Sequence, residues 1–252
     1  MKKIYLPFLV FFFVGCSGIT VVQTNPSLQN PETSHDGQLS FLIASDSAEK
    51  IDFTDDASAR PPVVNIVQTT VNDLRGQINY GLNNRWEISG GANSDGAGIF
   101  NSKFRFYGGD NGENGFIATL TLFLSYNSTS RSGNQEGEFG PGGYPWKATG
   151  TAYLGSGGLA LGYRASDAFL VFANSGAGNA KATLAIKQDA ANGDAGGAYS
   201  IESKASIVNY GLGVTVGKNT RVTLGISQTL KKWTNSAFQD KTSTNGIFII
   251  GF

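Results

Sequence analysis

Among the side chains that most often carry chemistry, the chain holds one histidine, His35, and one cysteine, Cys16. One Cys makes no intramolecular disulfide, and one His with one Cys falls short of a Cys/His zinc site, so a metal would have to be held by oxygen alone. His35 stands in a polar stretch with no other His, Cys or acidic cluster around it, which suits a solvated linker side chain. A serine nucleophile elsewhere would lack the imidazole that ordinarily takes its proton, and no paired Lys or carboxylate constellation replaces it. The expectation is no catalytic residue, no metal and no cofactor.

Three strings imitate functional motifs. Gly155-Ser156-Gly157-Gly158-Leu159-Ala160 fits G-x-G-x-x-A, but that site needs a helix opening at the glycines so that its N-terminus faces a pyrophosphate, and the residues after these glycines are strand-like. The glycines and carboxylates of 108–115 lack the ligand order of a calcium loop and read as a solvated turn. Asn127-Ser128-Thr129 matches a glycosylation sequon, which by itself identifies no site. Nineteen basic residues balance nineteen acidic ones, leaving no basic excess for nucleic acid. Charged residues make up 15%, against about 25% in soluble domains.

Strands must position whatever these side chains do. No window keeps apolar residues at a 3.6-residue spacing, whereas several alternate strictly. Leu74, Gly76, Ile78, Tyr80 and Leu82 fall on one side, and Asp73, Arg75, Gln77, Asn79 and Gly81 on the other. Trp86, Ile88, Gly90 and Ala92 oppose Arg85, Glu87, Ser89 and Gly91, and Phe100, Phe104 and Phe106 oppose Asn101, Lys103, Arg105 and Tyr107. The pattern returns over 116–126 and 222–231. The glycines near 155–158 and 175–178 interrupt it as β-bulges would.

Alternation suits a soluble sandwich or lipocalin-like barrel with its apolar face inward, and equally a transmembrane barrel with that face toward lipid. Strand length and turn rhythm favour the second. The segments run about ten residues or more, enough for a tilted bilayer crossing. Short connections at 82–84, 164–167 and 217–220 alternate with long, Gly-rich ones at 45–62, 130–146 and 188–198. Nine strands are read at 66–82, 84–93, 98–107, 115–129, 147–163, 168–187, 199–217, 219–232 and 243–252, and the apolar run 39–44 makes an even ten. Eight is the alternative if one irregular segment does not cross.

The beginning of the chain reads as an export signal: Lys2 and Lys3, an apolar run over 4–14, then Gly15 before Cys16. Eleven apolar residues are too few for a helix to cross about 30 Å of hydrocarbon. Phe13-Val14-Gly15-Cys16 resembles the bacterial lipobox, departing from it at Phe13, where that family usually has Leu. The resemblance implies acylation of Cys16 after cleavage, and Ser17 in place of Asp implies delivery to the outer membrane. Residues 1–15 are then the signal peptide, 16–36 a lipidated flexible tether with Asn25-Pro26 and Asn30-Pro31 turns, and 37–252 the barrel.

The end of the chain alternates over 246–252 and stops on an aromatic residue, which resembles the C-terminal strand of bacterial outer-membrane β-barrel proteins. The resemblance implies that Phe248, Ile250 and Phe252 form the signal read by the barrel-assembly machinery. Lipoprotein-export machinery and outer-membrane lipid are the other implied partners. The enzymes known in that family, phospholipases, lipid A deacylases and omptin proteases, rely on a histidine, and here the one histidine lies in the tether, so no enzyme is expected.

Ten strands enclose an interior that side chains largely fill. Asp73, Arg75, Arg85, Glu87, Lys103, Arg105 and Arg221 are read as its polar network. Their mixed signs imply a salt-bridged plug, with a small selective channel as the alternative. The turn at 82–84 sets Asn79 opposite Glu87, and the next connection sets Glu87 opposite Lys103 or Arg105, which predicts a luminal ion pair. Tyr107 is read into the same lumen. Phe139, Tyr144 and Trp146, in the longest Gly/Pro-rich loop, are candidate external contacts for an unspecified ligand or protein. A non-enzymatic outer-membrane barrel lipoprotein is the expected function, and a soluble periplasmic binding lipoprotein the remaining alternative.

Overall fold

The computed structural model describes residues 18–26, 28–56, 63–109, 113–133, 145–188, 197–218 and 220–251. Among them there is no helix. The strands are β1 (Gly18–Thr24), β2 (Leu39–Asp56), β3 (Val63–Asn83), β4 (Trp86–Asn93), β5 (Gly98–Tyr107) and β6 (Gly115–Gly133), then β7 (Trp146–Ser166), β8 (Phe169–Gln188), β9 (Ala198–Val216), β10 (Arg221–Trp233) and β11 (Lys241–Gly251). They form one antiparallel sheet in the order β1-β2-β11-β10-β9-β8-β7-β6-β5-β4-β3, and the further pairing of β2 with β3 closes it into a ring from β2 to β11.

Eleven strands are present among the described residues, where the alternation in sequence predicts ten or eight. The additional one, β1, falls in the segment read as a flexible tether, and β2 continues through residues 46–56, read as loop. One edge of β2 is shared. Leu42 to Ser45 pair with Gly251 to Phe248 of β11, and higher up Ala48 to Thr54 pair with Thr24 to Gly18 of β1. The glycines at 155–158 and 175–178 produce no bulge; β7 and β8 stay in register there and shift only at Arg164/Ser166.

Side chains on the outer face of the wall are apolar in the half nearest the short turns. β6 exposes Phe116, Leu120, Leu122 and Tyr126 before giving way to Ser128 and Ser130, and β7 exposes Tyr163, Leu161 and Tyr153 before Lys147. On β9, Val216, Leu212, Tyr210 and Val208 give way to Lys204 and Glu202. The interval from Tyr153 to Tyr163, at about 3.3 Å per residue and a tilt of about 40°, is roughly 25 Å tall, the height of a lipid-facing band.

The inner face inverts this pattern. In the short-turn half many buried inward side chains are polar, among them Arg75, Gln77, Glu87, Asn101, Arg105, Arg164 and Thr223, beside an apolar cluster that includes Ile117, Leu170, Phe172 and Ile249. In the long-loop half an apolar cluster dominates: Trp146, Ala148, Leu154, Leu184, Ile186 and Ile207 pack with Ile51 and Phe53 of β2 and Ile19 and Val21 of β1. Inward parity carries through from one half to the other on β7, β8 and β10, whereas it switches on β2, from Ala44 below to Ile51 and Phe53 above, and on β3, from Asp73 and Arg75 below to Val64 and Ile66 above. Where the outer face is polar, the wall folds as a water-soluble protein does, burying apolar side chains worth about 1.5–3 kcal/mol each.

Candidate functional site

The site is the barrel interior, and its occupant is the chain's own segment 18–36. β1 hydrogen-bonds along β2 and reaches across the lumen, where the Val22 N–H donates to Asn127 Oδ1 (3.1 Å) and Gln23 Nε2 to the Tyr153 carbonyl (2.9 Å). Buried Lys231 donates to both Gln23 and Glu49. Asn93 Nδ2 donates to Thr24 Oγ1 (3.0 Å) and to Asp73 Oδ2 (2.7 Å), and Asn25 Nδ2 donates to Ser47 Oγ (3.0 Å).

Further down, wall glycines make room for the segment. A Cβ on Gly225, Gly213 or Gly211 would stand 2.3, 2.6 or 2.7 Å from a Leu28 methyl carbon, and one on Gly162 would stand 2.8 Å from Pro31 Cγ. Leu28 completes an apolar cluster with Ala44, Ile117, Leu170, Phe172, Ile247 and Ile249. Small residues at these inward positions leave a groove in the wall that the segment fills.

Below Leu28 the contacts are ionic. Glu32, 5% exposed, bridges Arg164 and Arg221. Lys103 Nζ donates to the Glu32 carbonyl (2.7 Å) and pairs with Glu87 Oε1 (2.7 Å). The N–H and Oγ of Ser34 both donate to Glu87 Oε2 (2.6 and 2.7 Å), and Thr33 Oγ1 donates to the Asn84 carbonyl (3.0 Å). Gly37, at φ 68°, then reverses the chain into β2 while its N–H donates to the Gly81 carbonyl (2.9 Å). Glycine takes that left-handed conformation without steric cost.

A cavity of about 700 Å³ remains at the short-turn mouth, lined by Glu32, Glu87, Lys103, Arg164 and Arg221 among others. At its rim Lys218 donates to Asp167 (3.0 Å), and this hydrogen bond, then the charge, holds the Asp167 carboxyl below its ordinary range. His35 is exposed at this mouth.

Several residues of the sequence-derived network are brought together. Glu87 faces Lys103 in register, Asp73 accepts from Asn93 and Ser94, and Arg75 and Arg105 are 2% and 1% exposed. Arg221 joins through Glu32, a residue that by sequence falls in the tether. Others need correction. Arg85 is exposed in the β3–β4 turn, because the ladder from Arg75↔Asn93 sets Gly81 opposite Glu87 and the register shift between Gly81 and Asn83 then ends the alternation before Arg85. Asn79 accordingly faces Ser89. Tyr107 is 61% exposed, because the irregularity between Arg105 and Tyr107 takes it out of the inward row.

Trp146 is 3% exposed inside the long-loop half, so it is a core residue and not an external contact. Phe139, Tyr144, Cys16 and Phe252 lie outside the described residues; Phe248 points outward and Ile250 is half-buried. Glu32, Ser34, Glu49 and Arg164 escape sequence reasoning. Inward glycines where the alternation calls for side chains, and luminal cations without wall carboxylates, are the signals that could have found them.

Replacing Glu87 by Ala removes an acceptor shared by Lys103 and Ser34. The expected loss is about 1–3 kcal/mol, read as a lower urea midpoint for the protein refolded in vesicles.

No protein-family model matches this sequence, and no curated protein sequence matches it. The fold is that of an outer-membrane-type β-barrel, defined by the closed antiparallel ring and its apolar outer belt. Solved structures similar to the chain include the outer membrane protease OmpT from Escherichia coli, at 14% identity and TM-score 0.39, covering 85% of this chain and 90% of that one. Ail, the attachment invasion locus protein of Yersinia pestis, in complex with the heparin analogue sucrose octasulfate, is similar at 12% identity and TM-score 0.32, covering 86% and 96%. At these scores neither neighbour bears on what this chain does.

Proposed function

We propose that the chain is a non-enzymatic outer-membrane β-barrel lipoprotein whose lumen is closed by its own N-terminal segment and whose long loops are the surface offered to an external ligand or partner. The observation that carries this reading is the pairing of an apolar, tyrosine-edged outer belt with a lumen filled by residues 18–36. A soluble lipoprotein would leave Phe116 at 69% and Leu212 at 68% exposure facing water, alongside many other large apolar side chains. In a bilayer the same residues face hydrocarbon, with the short β3–β4, β7–β8 and β9–β10 turns toward the periplasm and the long connections outside. Acylation at Cys16, export and assembly by the corresponding machineries complete the proposal. Two acyl chains on one residue give stable anchoring, at about 0.8 kcal/mol per buried CH₂.

The test is migration on SDS gels with and without boiling. The folded chain is expected to resist SDS and shift on heating, deletion of Phe252 to shrink the heat-modifiable fraction, and Cys16→Ala to block acylation and processing. A chain that unfolds in SDS without heating would count against the membrane barrel.

A further inference from the structure

We infer that the chain is threaded through its own barrel so that its mature N-terminus emerges on the long-loop, exterior side, which would deliver an acyl anchor at Cys16 to the outer surface and not to the periplasmic leaflet. This rests on the membrane-barrel reading above, and it turns on the direction in which residues 18–36 run.

Contacts at three levels fix that direction. At the short-turn mouth, Thr33 and Asp36 bond to Asn84 in the β3–β4 turn. Midway, Leu28 and Pro31 lie against Gly213 and Gly162. At the other end Gly18 faces Thr54, near the top of β2, and Ile19 lies against Gly150, which on β7 is on the loop side of Tyr153. Gly18 has therefore passed the upper edge of the apolar belt.

Gly18 itself stands on the long-loop side, and the way back to the short-turn side is blocked. The lumen below Gly18 is occupied by the segment itself, and lower down β2 and β11 are hydrogen-bonded through Phe248↔Ser45 to Gly251↔Leu42, so what is open to it lies on the long-loop side. Ser17 and Cys16 together span at most about 7 Å, far short of the roughly 25 Å back across the belt. Turning the segment around would break the β1–β2 register from Gly18↔Thr54 to Thr24↔Ala48 and the Glu32 ion pairs at once.

The wall also supplies a route for threading. Among the described residues β11 meets β2 through the pairs Phe248↔Ser45 to Gly251↔Leu42 alone, a shorter seam than any other in the ring. A ring that closes last at this seam can form around a segment already laid along β2, so an acylated end need not be pulled through a filled lumen.

Epitope tags in the full-length protein test the inference. One is inserted between Ser17 and Gly18, one in the β6–β7 loop and one in the β7–β8 turn, each variant being checked for heat-modifiable migration. The first two should bind antibody on intact cells, and the third only after the outer membrane is opened. An N-terminal tag hidden while the loop tag is reached overturns the threaded topology and leaves the barrel reading standing. A hidden loop tag overturns both.

Should the N-terminal tag prevent folding, Ser17→Cys with a membrane-impermeant maleimide replaces it. Labelling of intact cells several-fold above wild type is expected, and labelling only after lysis overturns the inference. A wild-type chain that itself labels from outside supports the topology and overturns acylation of Cys16.

Discussion

Replacing Glu32 by alanine is expected to lower the stability of the folded barrel by about 3 kcal/mol. Glu32 is 5% exposed and is shared by Arg164, 2% exposed, and Arg221, 31% exposed. Removing the carboxylate leaves two guanidinium groups facing one cavity without the anion that joins them. Breaking a buried pair from one side ordinarily costs about 3–5 kcal/mol, and the partial access of water to Arg221 puts the expectation at the lower end. Glu32→Gln, which keeps the shape and an acceptor oxygen, should lose less. Urea midpoints in vesicles measure both, and an unchanged midpoint for Glu32→Ala would mean that the segment is not held at the mouth by these contacts.

Leu28→Ala is expected to cost about 2–5 kcal/mol. Leu28 is 1% exposed and its methyl carbons fill the space left by Gly211, Gly213 and Gly225, beside Phe172. Backbone on the opposite side cannot close the gap, because those strands are paired in the ring. A Cβ added at Gly213 would stand 2.6 Å from Leu28 and 2.7 Å from Phe172, so Gly213→Ala should destabilise the wild type. The same change should be tolerated better once Leu28 is Ala, since one of its two clashes is gone. Additive losses in the double variant would count against direct packing of the segment on the wall.

Strand placement was legible because a period of two runs through long stretches of the strands: Leu74 to Leu82 alternate in sequence and outward-inward in space. The Glu87–Lys103 facing was legible for a related reason, since a short connection leaves few registers that keep polar residues together. The role of residues 18–36 was not. Their course is irregular below β1, and their partners are distant in the chain, Glu32 and Arg221 being 189 residues apart. Complementarity of that kind leaves no local pattern, and a polar, turn-rich stretch reads as solvated linker.

Trp146 misled for a different reason. Aromatic residues among Gly and Pro at a loop suggest an exposed contact, but the wall above the belt buries its apolar side chains inward, and Trp146 is the first residue of β7 on that inner face. One rule of facing applied to the whole chain could not separate a lower half built for lipid from an upper half built for water.

Conductance in planar bilayers tests most directly whether a membrane-embedded barrel is closed by its own N-terminal segment. The full-length chain is compared with one lacking residues 18–34, after both are shown to be heat-modifiable. The full-length protein is predicted to insert without passing ions and the shortened one to conduct steadily, because the groove lined by Gly150, Gly162 and Gly213 would then stand open. A full-length chain that conducts as freely as the shortened one, or a shortened one as silent as the full chain, would contradict the account.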